Sequence, residues 1–276
     1  MSDYLVVGAS AIGAALAQAL ADHHHQVRLV SRRGSGPEDP NITRVAADAK
    51  NADALGELAA RALAIFNCVN PGYHRWATDW PPVADSLLAS AEGSGAVLVT
   101  LSNLYGYGRP TGPMTPDSPL LADYEKAQVR VKMWRDAKAA HDAGRLRESE
   151  ARASDCIGPR AESAKGERVF PRVLAGKGCQ ILGSADVPHS WTYTGDVVAT
   201  LIACAQNTPW PGEGSGTSPR IWRARSARSS TTPRLAARSD SRRRLGPTSS
   251  PPRSRRTEKS ERSRRGEGRR VPQEHH

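Results

Sequence analysis

The first thirty residues constrain the fold most. Tyr4–Val7 is a short apolar run that meets a glycine at Gly8, and Ile12, Ala15, Leu16, Ala19 and Leu20 then share one helical stripe. His25 and Gln26 lead into a second apolar run, Val27–Val30. Strand, glycine turn, helix and strand within about 30 residues is the size of a βαβ unit. Further apolar runs follow at Ile42–Ala46, Ala62–Val69 and Ala96–Leu101, with helical patterns between them near Ala52–Ala60 and Trp80–Glu92. Strands that alternate with helices predict an α/β fold, a doubly wound parallel Rossmann sheet covered on both faces.

The segment VVGASAIGAALAQAL fits G-x-G-x-x-G, with Gly8 first, Ser10 in the middle and Gly13 last. That spacing supplies a tight turn, a close backbone approach to a pyrophosphate and close helix–strand packing, and the helix N-terminus offers free N–H groups to phosphate. Ser10 is the departure, because its Cβ falls where backbone should meet the pyrophosphate. Ser31-Arg32-Arg33 follows the second strand, where an acidic residue would bind a ribose 2′-hydroxyl and arginine accommodates a 2′-phosphate. This favours NADP, with NAD as the alternative; the competing reading is an exposed basic loop. Asp48, after the third strand, reaches the adenine or caps the helix at Ala52. His23-His24-His25 lies in a turn at the opposite edge of the sheet, and adjacent loop residues rarely converge on one ion, so no metal is expected.

After Leu101 the pattern changes. Tyr105–Pro119 is a long loop rich in Gly, Pro and Tyr, followed by a helix near Tyr124–Ala143 and a strand near Glu148–Ala153. Residues 166–206 add two helical patterns and a strand around Cys179–Leu182. The expected organisation is a dinucleotide-binding domain over 1–155, a small, truncated substrate lobe over 156–210 interleaved with it, and a tail over 211–276.

Charge separates the tail from the rest. The chain has 39 basic and 28 acidic residues, and residues 211–276 hold 18 of the basic and 6 of the acidic ones. The excess positive charge is therefore a property of the tail and not a nucleic-acid footprint on the body. The tail's Arg/Ser/Pro composition cannot bury enough apolar surface to order itself, which predicts disorder. Seventeen of its 18 basic residues are arginine, with Lys259 the exception, as expected of GC-rich DNA read out of frame. A frameshift near residues 207–216 is the preferred explanation, leaving the lobe short of its last helices; a basic tail that binds nucleic acid is the other. Its aromatic content is too low for base stacking, Trp222 apart. No apolar run approaches a membrane span. No signal peptide is visible, and Cys68, Cys156, Cys179 and Cys204 are too scattered for a zinc site or a disulfide framework. A cytoplasmic enzyme is the expectation.

The order of the pieces VVGASAIG, NCVN (Asn67–Asn70), TLSNLYGYG (Thr100–Gly108), RASDCIGP (Arg152–Pro159) and HSWTYTGDVVATL (His189–Leu201) resembles the extended short-chain dehydrogenase/reductase superfamily, the NAD-dependent epimerase/dehydratase group, over about residues 3–206. The resemblance implies a Rossmann domain with a small substrate lobe and a nicotinamide cofactor held by Gly8, Ser10, Ile12, Gly13, Ser31, Arg32, Arg33, Asp48 and Asn70. It implies a small-molecule substrate and dimerisation through the two long helices. It also implies a Tyr acid/base with a Lys four residues later and a Ser on the preceding strand end. Here Lys126 stands near the lysine position, but Ala122 occupies the position four before it, and Tyr124 is only two away. Either the tyrosine is lost or Tyr105 or Tyr107 replaces it, which makes Ser102, Tyr107 and Lys126 the catalytic candidates. The resemblance also leads us to expect that Arg152 and Asp155 orient substrate or pair with each other, and that Asp196 caps a helix. Two functions follow: an NAD(P)-dependent oxidoreductase or epimerase/dehydratase acting on a sugar-like or small carbonyl or alcohol substrate, or a non-catalytic dinucleotide-binding sensor or scaffold.

Overall fold

The computed structural model describes residues 2–161, 169–179, 189–211, 220–223 and 226–227. The chain divides into two units, Met1–Thr231 and Thr232–His276, and the second lies outside the described residues. In the first, β1 (Asp3–Val7), α1 (Ala11–Asp22), β2 (Gln26–Ser31), β3 (Ile42–Ala46), α2 (Ala52–Ala59), β4 (Ala64–Asn67), α3 (Trp76–Ser94) and β5 (Val97–Asn103) follow in order. Among the described residues α4 (Glu125–Asp142), β6 (Arg147–Ala153), β7 (Asp155–Ile157), α5 (Phe170–Leu174), β8 (Trp191–Tyr193), α6 (Thr194–Gln206), β9 (Arg220–Arg223) and β10 (Ser226–Ala227) come next. The main sheet has the order β3-β2-β1-β4-β5-β6-β9 and is parallel throughout. A second sheet, β10-β8-β7, pairs β7 with β8 in parallel and β8 with β10 antiparallel.

Side-chain alternation divides the strands between two cores. Tyr4, Val6, Leu29, Phe66 and Val99 pack with Leu16 of α1 and Leu201 of α6. Leu5, Val7, Val30, Ile65 and Leu98 face the other way, onto Leu55 of α2, Trp80 and Leu87 of α3 and Met133 of α4. Burial on both faces is why these strands read as unbroken apolar runs.

Several boundaries differ from the sequence reading. α3 starts at Trp76, four residues before the expected Trp80, and runs through Pro81 and Pro82. Those prolines withhold two N–H groups near the helix start, so the sequence there looks like a boundary. Asn51, not Asp48, caps α2, its side chain accepting from the Ala54 N–H at 3.1 Å. Asp196 lies in the first turn of α6, and Tyr193 takes the cap position. Within the segment expected as tail, β9 and β10 are strands; its other residues beyond Pro211 lie outside the described residues, as does most of the strand expected around Cys179–Leu182. Among the described residues no helix is long and apolar enough to cross a membrane.

Candidate active site

The strand order reverses beside β1, which has β2 on one side and β4 on the other. A crevice opens there, at the carboxyl ends of the strands, as doubly wound sheets require. Gly8 closes β1 with φ +106°, and a Cβ there would come within 2.5 Å of the Cys68 carbonyl. Gly13, one turn into α1, would place a Cβ 1.9 Å from the Gly8 oxygen. The glycines thus allow β1, β4 and α1 to meet at this distance. Ser10 takes ordinary extended backbone angles and caps α1. Its hydroxyl accepts from the Gly13 N–H at 3.3 Å and donates to the Cys68 carbonyl at 3.2 Å. Its side chain is therefore turned into the turn itself, which removes the objection to serine at the middle position. Burial pushes the Cys68 thiol up to about 12, so it stays protonated under the turn.

The crevice has two halves joined at Ser10, Cys68, Val69 and Asn70. The larger, about 720 Å³, is lined by Gly8 and Ser10, by Ser31, Arg32 and Arg33 after β2, and by Asp48 after β3. Arg32 and Arg33 are exposed, on a tight turn in which the Ser31 hydroxyl accepts from the Ser35 N–H at 2.8 Å. The Asp48 carboxylate accepts from the Lys50 N–H at 3.0 Å. Asp79 on α3 binds Arg75 at 2.7 Å and Lys50 at 2.8 Å, and these bonds, that to Arg75 first, hold its carboxyl below the usual carboxylate range. Four cations, Arg32, Arg33, Lys50 and Arg75, thus line this half with only Asp48 and Asp79 against them.

The smaller half, about 240 Å³, lies over the ends of β4, β5 and β6 and includes Ile12, Ser102, Asn103, Tyr105, Arg130 and Ser154 in its walls. Of the three catalytic candidates, Ser102 is here. Tyr107 lies on the far side of a short 3-10 turn, 2% exposed, and its hydroxyl accepts from Arg152 at 2.8 Å. Lys126 extends over the ring of Tyr73, with Nζ 3.7 Å from the centroid. The structure therefore does not bring Tyr107 and Lys126 together. Tyr105 faces the crevice instead, packed against Trp76 at 5.8 Å, Tyr73 at 6.3 Å and Tyr124 at 6.4 Å between ring centroids. Burial, then the nearby Tyr73, Asp155 and Tyr124, push its phenol up, so it carries its proton at neutral pH. Arg152 pairs with Glu150 at 2.5 Å, and Asp155 with His189 at 3.1 Å, in place of the Arg152–Asp155 pair weighed from the sequence. His23 and His25 engage the Ala19 carbonyl and the Tyr4 ring.

Sequence reasoning missed Arg130. It falls on the stripe formed by Ala127, Val131, Trp134 and Ala137, where a cation among buried residues is the signal that could have revealed it.

A glycine turn at the switch point of a parallel sheet, with a cation-lined crevice above it, defines a Rossmann-type α/β protein. The chain belongs to the NAD dependent epimerase/dehydratase family, whose profile matches residues 4–213. No curated protein matches it. Similar solved structures include dTDP-glucose 4,6-dehydratase from Bacillus anthracis in complex with NAD, 18% identical, covering 81% of this chain and 75% of that one with a TM-score of 0.68. UDP-glucuronic acid 4-epimerase from Bacillus cereus in complex with NAD is 18% identical over 80% and 76%, with a TM-score of 0.68. UDP-glucose 4-epimerase from Thermotoga maritima with UDP-glucose is 17% identical over 74% and 73%, with a TM-score of 0.65. At these identities the likeness establishes the fold.

Proposed function

We propose that the protein is an NADP-dependent oxidoreductase or epimerase/dehydratase-like enzyme acting on a sugar-like or small carbonyl or alcohol substrate. One observation carries the reading: the crevice is centred on a glycine turn that admits no side chain at Gly8 or Gly13 and ends in the basic Arg32–Arg33 turn. Gly8, Ser10, Ile12 and Asn70 would hold the pyrophosphate and adjoining ribose at the N-terminus of α1. Arg32 and Arg33 would meet a 2′-phosphate, with Asp48 beside the adenine. The nicotinamide, when bound, supplies hydride acceptance and donation. Residues 1–155 would then form the cofactor domain and 156–210 the substrate lobe.

The chain's own chemistry is proton transfer and orientation. Tyr105 holds its proton beside the smaller half and would donate it to a carbonyl oxygen, while the Ser102 hydroxyl fixes that oxygen. Lys126 supplies no charge to Tyr105 directly, because its ammonium sits on the Tyr73 ring. That placement also favours a second reading, a dinucleotide-binding protein without turnover. NADPH consumption with a panel of aldehydes and ketones, together with product analysis of nucleotide sugars incubated with the protein and NADP, separates the two, because epimerisation and dehydration return the hydride and consume no cofactor. The enzyme reading predicts turnover that falls about 100-fold or more in Tyr105→Phe. A chain that binds NADPH but turns over none of the panel supports the second reading.

A further inference from the structure

Arg130 is the most heavily buried cation in the crevice wall, 5% exposed, and among the described residues no carboxylate forms a salt bridge with it. Its Nη2 donates to the Leu101 carbonyl at 2.8 Å, its Nη1 lies 3.9 Å from the Met133 sulfur, and its guanidinium rests on the Trp80 ring at 4.5 Å from the centroid. Its Nε has no partner among the described residues. The carboxylate that acts on it, Glu150, is taken by Arg152 at 2.5 Å. Arg130 and Arg152 therefore share the Glu150 carboxylate, with Arg152 holding it directly. An arginine has five donors and cannot shed its charge, and a buried charge left without a counter-charge is strongly unfavourable. Trp80 fixes one face of the guanidinium, so an incoming group must meet its edge.

We infer that Arg130 is the recognition site for an oxyanion, a carboxylate or a phosphate group, carried by a small substrate that enters the smaller half of the crevice beside Ser102. A guanidinium edge suits both groups through paired N–H donors. The half-crevice of about 240 Å³ suits a small acid better than an extended ligand. The inference rests on the cofactor reading only for the identity of what shares the crevice.

Isothermal titration of sodium oxalate and of inorganic phosphate into the full-length chain, with and without saturating NADPH, tests it. Saturable binding of at least one anion is expected, weakened at least tenfold in Arg130→Met and less in Arg130→Lys, with NADPH affinity unchanged in both. Tighter oxalate would identify a carboxylate as the natural group; tighter phosphate, a phosphoryl group. Should Arg130→Met fail to fold, Arg130→Lys carries the test, because it keeps the charge and loses the fork, so anion affinity must still fall. Binding of neither anion to the wild type overturns the inference, as does equal anion affinity in wild type and variants. Weakened NADPH binding with anion affinity retained also overturns it, since Arg130 would then serve the cofactor. Wild type that binds no NADPH but shows Arg130-dependent anion binding would sink the cofactor reading and leave this one standing.

Discussion

Replacing Gly13 by alanine tests the glycine turn without disturbing backbone preference, because Gly13 lies inside α1 and is not among the glycines with positive φ. The added Cβ would lie 1.9 Å from the Gly8 carbonyl oxygen and 3.0 Å from the Cys68 Cβ. Real contacts of that kind do not fall below about 3 Å, so α1 must retreat by about 1 Å. Overpacking costs about 1–3 kcal/mol, and a backbone obstacle places this case near about 3 kcal/mol. For a domain of this size that lowers Tm by about 6–12 °C. The retreat also carries the N–H groups of Ala11 and Ile12 away from the crevice, so NADPH affinity should fall about tenfold or more. Thermal unfolding and nicotinamide fluorescence titration measure both effects. Gly56→Ala is the control: a Cβ there meets nothing within 4 Å, and Tm should hold or rise. A Gly13→Ala protein with wild-type Tm and wild-type NADPH affinity would refute the packing argument.

Other expectations follow from the same geometry. Ser10→Ala removes the cap of α1 and the bond to Cys68 and should lose about 1 kcal/mol in denaturant unfolding, whereas Ser10→Gly should lose only a few tenths. Arg32→Ala with Arg33→Ala should weaken NADPH by about tenfold or more and leave NADH within about twofold, read by competitive titration. Tyr107→Phe leaves the buried Arg152 short of an acceptor and should cost about 1–3 kcal/mol of stability, measured by urea unfolding. Glu148 has a folded-state pKa raised well above 4.5 by burial and then by Glu150, so its contribution to stability is complete below its unfolded pKa and is lost as pH rises towards the folded value. Glu148→Gln should therefore gain on wild type progressively as pH rises above the ordinary carboxylate range, read in urea midpoints; a gap that shrinks with rising pH would contradict the assignment.

The sheet was legible because its strands are buried on both faces and read as apolar runs: β1, β3 and β5 fall within a residue or two of the expected spans. β6 was legible by position more than by composition, since RESEARA buries Glu148, Glu150 and Arg152. The start of α3 was hidden by its proline pair, and β9 by an arginine-rich composition that resembles a tail. The glycine turn and the Arg32–Arg33 position could be read because backbone geometry dictates them locally. The tyrosines could not, because a single 3-10 turn sends Tyr105 to the crevice and Tyr107 to Arg152, and spacing along the chain does not say which. Arg130 depended on the pairing of Glu150 with Arg152, a tertiary fact.

On the cofactor reading the crevice over Gly8 and Gly13 takes a phosphorylated nicotinamide dinucleotide. Titrating NADPH and NADH separately into the purified full-length chain, with nicotinamide fluorescence as the readout, tests it directly. Saturable NADPH binding at least about tenfold tighter than NADH is expected, the margin that one 2′-phosphate paired with arginine supplies. A chain shown to be folded that binds neither nucleotide would contradict the claim.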